Sequence, residues 1–204
     1  MKKLTLLLII LSLNVFSQKN KEEYALPHIV TAGVGYGAAW VIWKDSEANS
    51  NGSITEKRTA TPVFSASYEQ IVKKKLGIGH LGVGARVGYQ SATWSWTINI
   101  ASLNYDYKWN ISLYDITLRP AYHFVLPNKP KIEPYAGLSM AYNIWKMRST
   151  GTYNGTTITS KDKEAFLMAG AFGGVRFRVL KFISIYGELG FPHNLATVGA
   201  NLQF

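Results

Sequence analysis

The last ten residues, Leu195 to Phe204, alternate without a break. Ala196, Val198, Ala200, Leu202 and Phe204 fall on one face, and Leu195, Thr197, Gly199, Asn201 and Gln203 on the other. A period of two is that of a β-strand, whose successive side chains point to opposite sides. One apolar and one polar face require one apolar and one polar surrounding. A strand of this kind left as a bare edge invites pairing with other chains. The last strand is therefore expected to pair with the first.

The same two-faced pattern recurs in seven earlier segments: 28–43, 59–72, 79–97, 104–126, 132–148, 164–179 and 182–190. One face of each is aliphatic or aromatic, as in Val30, Val34, Phe64, Val83, Val87, Ile116, Leu118, Leu138, Leu167 and Ile185. The opposite faces hold glycines together with Glu69, Arg86, Asp115, Arg119, His123, Glu133, Arg176, Arg178 and Glu188. In a water-soluble barrel the apolar face would look inward. That arrangement would scatter these charges over the outside as ordinary solvated groups. The opposite assignment lets the charges pair within a narrow interior and lets the aliphatic face meet lipid. The expected fold is all-β: an eight-stranded antiparallel up-and-down transmembrane β-barrel. Its glycine-rich, aromatic composition (18 Gly, 12 Tyr, 9 Phe, 6 Trp) agrees with strands and turns.

Strand 104–126 changes character midway. From Tyr114 onward even positions are apolar; before it, Asn104, Asp106, Lys108, Asn110 and Ser112 are polar, while Tyr105, Tyr107, Trp109, Ile111 and Leu113 are apolar. Strands three and five repeat the switch, with Trp94 and Trp96, and then Trp145, on the inward side. Side chains cannot change sides of a strand, so the solvent must. The sheet is expected to continue beyond the bilayer with its own apolar interior. The connections 44–58, 98–103 and 149–163 read as long or polar, and 73–78, 127–131 and 180–181 as short. That alternation matches long external loops and short periplasmic turns.

Residues 1–17 combine a basic start, an apolar run too short to cross a bilayer as a helix, and a small residue at a cleavage position. They read as a signal peptide, followed by a periplasmic segment at 18–27 and the barrel at 28–204. There is no cysteine, which excludes disulfides, thiolate metal sites and a thiol nucleophile. The basic balance, 22 Lys and Arg against 12 Asp and Glu, points to lipid or lipopolysaccharide phosphates rather than nucleic acid.

With its terminal Phe204, this pattern resembles the small eight-stranded outer-membrane barrels of the outer membrane protein X and OmpA-transmembrane-domain type. The "porin family" barrels of Bacteroidota are most similar. The resemblance implies a Gram-negative outer membrane, periplasmic termini, a monomer, and Phe204 as the signal read by the barrel-assembly machinery. Four scattered His and no Cys lead to the expectation of no enzyme activity, no cofactor and no metal. The expected role is structural, adhesive or surface-interactive, with the lumen charges forming a salt-bridge plug. Trp43, Trp94, Trp96, Tyr105, Tyr107, Trp109 and Trp145 are either the packed core of the extension or a mouth pocket. The pocket reading carries the alternative function, binding or transport of small hydrophobic molecules as in the OmpW type. Lys108, Lys146 and Arg148 are the expected lipopolysaccharide contacts. A lipid A-modifying enzyme is a minor alternative. It would need a nucleophile beside a histidine at the outer end, where only His193 falls.

Overall fold

The computed structural model describes residues 27–37, 47–50, 54–100, 103–126, 129, 131–153, 155–191 and 194–204. The signal segment, Trp40, Trp43 and His193 lie outside them. The described strands are β1 (His28–Gly37), β2 (Glu47–Ser50), β3 (Ile54–Ala60), β4 (Val63–Leu76), β5 (Gly79–Ile100), β6 (Leu103–Phe124), β7 (Ile132–Tyr153), β8 (Thr156–Arg178), β9 (Ile183–Gly190) and β10 (Asn194–Gln203).

Eight of them form a closed antiparallel ring. β4 pairs with β1, β1 with β10, and the chain order continues through β9, β8, β7, β6 and β5 back to β4. The closure is the one the terminal alternation requires. Ile29 faces Gln203, Gly33 faces Gly199 and Tyr36 faces Ala196. The His28 and Phe204 backbones exchange N–H···O bonds at 3.0 Å in both directions. At the end that holds Phe204 this pairing leaves no strand edge open among the described residues.

The polarity is inside-out. Leu138, Leu167 and Val198 are about two-thirds exposed (65%, 67% and 67%), whereas Thr117, His123 and Ser184 are each 1% exposed. An exterior of this kind beside so polar an interior is the arrangement of a transmembrane β-barrel. The outward apolar stretch of β6 runs from Tyr114 to Phe124. Ten residue steps at about 3.3 Å, tilted about 40°, give a belt about 25 Å tall. That is the height of such a belt. Aromatic residues border it on both sides. Phe64, Tyr89 and Tyr114 share one row at one edge, and Tyr68, Tyr122, Phe124, Phe177 and Phe204 lie toward the other.

Four expectations are corrected. Residues 44–58, expected as a loop, contain β2 and β3. β3 follows β4 along the same edge of β5, with Ala60 opposite Ala92 and Phe64 opposite Tyr89. Segment 149–163, also expected as a loop, is instead the continuation of β7 and β8. The two stay in register up to Tyr153 opposite Thr156 and turn at Gly155, whose φ of 81° suits glycine. Likewise β5 and β6 pair as far as Ile100 and Leu103. Backbone hydrogen bonds extend these hairpins although their side chains carry little apolar alternation. Finally, Leu195 is not on the polar face. Gly37 pairs with Asn194 and Tyr36 with Ala196, so Leu195 is the extra residue of a β-bulge. The bulge turns Leu195 outward, 38% exposed, while Asn194 and Thr197 remain buried.

The ring therefore has two parts. At the end that holds Phe204 it is a closed barrel. At the other, β5, β6, β7 and β8 rise beyond β9 and β10 as an extension, joined on the β5 side by β3 and β2.

Candidate functional site

The lumen is built in layers. Nearest the chain termini, Arg176 on β8 donates to Glu69 on β4 at 3.0 Å and to Glu133 on β7 at 2.9 Å. His123 on β6 lies between the same two carboxylates, with Nδ1 2.7 Å from Glu133 and Nε2 against Glu69. Four strands are thus tied across the interior by side chains alone. A guanidinium with two carboxylates within reach donates along its fork, the geometry that makes such pairs strong. Burial without partners would be costly.

The next layer joins Arg119 and Glu188, 2.5 Å apart, with the Tyr135 hydroxyl donating to Glu188 at 3.0 Å. Aromatic rings fill the space around these ions. The Arg176 guanidinium lies 4.6 Å from the Tyr135 ring centre, and that of Arg119 lies 3.8 Å from the Phe172 ring centre. Glycine makes room for them. A Cβ on Gly174 would sit 2.6 Å from Tyr135, and one on Gly137 would sit 2.5 Å from Phe172. Farther along, Arg86 donates to Asp115 at 3.3 Å. The voids left among these side chains measure about 20 and 10 Å³. Each has room for about one water molecule.

Of the nine lumen residues named from the sequence, eight meet in these ion pairs. Arg178 points inward by parity but lies at the rim beyond Arg176, where its backbone N–H bonds to Lys131 O. It takes no part in the ion pairs among the described residues. Alternation alone missed Tyr135, Phe172 and Tyr186, which complete the filling. Their inward parity beside Gly174, Gly137 and Gly199 was the available signal. Among the described residues no group of His, Asp and Glu is arranged to hold a metal ion.

In the extension, four of the seven aromatics come together. Trp94 lies 4.9 Å from Trp96 and 5.0 Å from Trp109, and Trp96 stacks on Tyr107 at 4.5 Å. The Arg58 guanidinium covers Trp94 at 4.8 Å. Tyr105 instead meets Tyr153, and Trp145 meets Phe166, each of the two being about 40% exposed. Trp43 is outside the described residues. Lys108, Lys146 and Arg148 stand exposed on the opposite, outer face of the same sheet.

A closed, filled, inside-out ring of eight strands is a transmembrane β-barrel of the small kind. Three solved structures are similar to this chain. The attachment invasion locus protein Ail of Yersinia pestis, solved in complex with the heparin analogue sucrose octasulfate, is 12% identical, with 86% of this chain and 95% of that chain covered and a TM-score of 0.39. Neisserial surface protein A is 13% identical over 87% and 97% of the two chains, with a TM-score of 0.34. The transport unit of the Escherichia coli autotransporter AIDA-I is 16% identical over 86% and 55%, with a TM-score of 0.41. Likeness at this level concerns the fold. No protein-family profile matches the sequence, and no curated protein does.

Proposed function

We propose that this chain is a non-enzymatic, non-conducting barrel of a Gram-negative outer membrane. Both termini face the periplasm, and the extension stands at the cell surface in a structural or adhesive role. The observation that carries this reading is the lumen. Ion pairs from Arg86–Asp115 through Arg119–Glu188 to Arg176 with Glu69 and Glu133 follow one another along it. Side chains fill what remains, as the narrow interior of an eight-stranded barrel allows. Such a wall of paired charge acts as a plug and as the rigid core of the barrel.

The Trp94, Trp96, Tyr107 and Trp109 rings pack on one another, which favours a core for the extension over a pocket for hydrophobic molecules. His28, His80 and His123 all belong to the terminal half of the barrel, away from an outer leaflet on this orientation, which weighs against a lipid A-modifying centre. Phe204 sits on the outer rim, stacked on His28 at 5.6 Å, where an assembly factor could reach it.

Reconstitution in planar bilayers tests the plug. The expected record shows no stable unitary current. Large, long-lived openings by the wild-type protein would overturn it. Trypsin added to intact cells tests the orientation. It should cut within the extension, at Lys161 or Lys163, and spare Lys129 and Lys181. The reverse pattern would place the termini outside.

A further inference from the structure

The outer face of the extension carries cations that the fold sets against one another. By register, Lys146 on β7 lies directly opposite Lys163 on β8, and Arg148 lies directly opposite Lys161. Lys108 on β6 shares the face, and all five are exposed. Directly opposed like charges, about 5 Å apart at Cβ, destabilise a sheet. None of the five forms an ion pair among the described residues. Asp162 and Glu164 have the other parity and point to the inner face. Asp106, one row beyond Lys108, already accepts from the Thr97 hydroxyl at 2.7 Å.

The height of these cations is informative. The Lys146/Lys163 row follows directly on the row of Tyr114, Ile144 and Ala165 that ends the apolar belt. Two residues along a tilted strand rise about 5 Å, so the two rows stand about 5 and 10 Å above the belt. Lipid headgroups occupy about that depth. The Lys146 ammonium is held 5.1 Å from the Tyr114 ring centre, at the edge of the belt. Tyr114 also borders an open apolar groove of about 710 Å³ on the outer wall, lined among others by Ala32, Val34, Phe64, Ala66 and Tyr89. Small residues between large ones leave there a channel of acyl-chain character.

We propose that this outer face binds a phosphorylated, acylated glycolipid of the surrounding leaflet. Its phosphates lie between the opposed pairs Lys146/Lys163 and Arg148/Lys161, and an acyl chain lies in the groove below Tyr89 and Tyr114. The anion offsets the repulsion within each pair. The proposal rests on the membrane reading above. A soluble polyanion would satisfy the charges but would leave unexplained their place at headgroup depth beside an apolar groove.

The test uses the full barrel refolded in dodecylmaltoside micelles, with bisphosphorylated hexa-acyl lipid A as probe and native mass spectrometry as readout. Lys163→Glu separates binding from stability, because it turns a repelling pair into an attracting one. It should weaken lipid A retention about tenfold while raising the urea midpoint. Ala66→Phe, which fills the groove, should also weaken retention, and Lys181→Glu at the opposite rim should not. Unchanged retention by Lys163→Glu would overturn the proposal. So would a heparin fragment that displaces lipid A at equal concentration, since it has no acyl chain. Wild-type protein that gains no protease protection in phospholipid vesicles would sink the membrane reading itself. Protection in vesicles without any preference for lipid A would sink only the glycolipid site.

Discussion

The barrel and its extension are made of the same strands, yet they put opposite chemistry on the same face. On β6 the even positions are Tyr114, Ile116 and Leu118 in the barrel and Ser112, Asn110 and Lys108 in the extension. The odd positions run the other way, from buried Asp115 and Thr117 to buried Ile111 and the Trp109 stack. The fold makes no break between them, as the pairing of β6 with β5 and β7 is continuous there. The solvent on the outer side selects the residues. Where it is lipid, cohesion comes from ion pairs and hydrogen bonds inside. Where it is water, it comes from stacked aromatic rings.

The two regions should therefore respond differently to damage. The largest effect is expected from Arg176→Ala, which leaves Glu69 and Glu133 facing one another beside His123. Removing one partner of a buried pair costs about 3–5 kcal/mol. The urea midpoint for loss of the folded barrel should fall accordingly. A shift equal to that of a surface substitution would show that the plug contributes little.

Next comes Gly137→Leu, which drives a side chain into Phe172. Overpacking of a filled interior costs about 1–3 kcal/mol. The same substitution at Gly151 on the same strand, in the extension, should cost less, because the nearest atom there is the movable Tyr107 ring at 3.1 Å. Equal costs would erase the distinction between a filled lumen and an open sheet. Trp109→Ala should remove about 2 kcal/mol from the extension, less than for a fully buried Trp because this one is half-buried. Amide exchange should quicken at residues 92–98 and 105–111 and stay unchanged in β9 and β10. The smallest effect is expected for Asp106→Ala, which loses one exposed hydrogen bond to Thr97, at most about 1 kcal/mol.

The same contrast explains what the sequence could disclose. Where one face was buried, alternation located the strand and assigned its faces in β6 and β7. By contrast, 59–72, read as one strand, spans the end of β3 and most of β4, which runs on to Leu76 through the expected turn 73–78. Residues 156–165 of β8 are exposed on both faces. A strand with water on both sides has no reason to alternate, so Lys161 and Lys163 were legible only as loop residues. Leu195 failed for another reason. A one-residue bulge reverses parity locally, and nothing in the amino-acid order announces it. Parity also gives a side but not a depth or a neighbour. It aimed Arg178 inward without showing that it lies past the last ion pair. It likewise grouped Tyr105 and Trp145 with the tryptophans, whereas their rings meet Tyr153 and Phe166.

The central claim is that one face of a continuous strand passes from lipid to water between Ser112 and Tyr114. The chain contains no cysteine, so single cysteines can be spin-labelled at 106, 108, 110, 112, 114, 116 and 118 of β6 without background. In phospholipid vesicles, collision with oxygen should dominate at 114, 116 and 118, and collision with a water-soluble nickel complex at 106, 108 and 110, with the crossing near 112. One uniform behaviour along all seven positions, or a crossing that appears at the odd positions instead, would contradict the account.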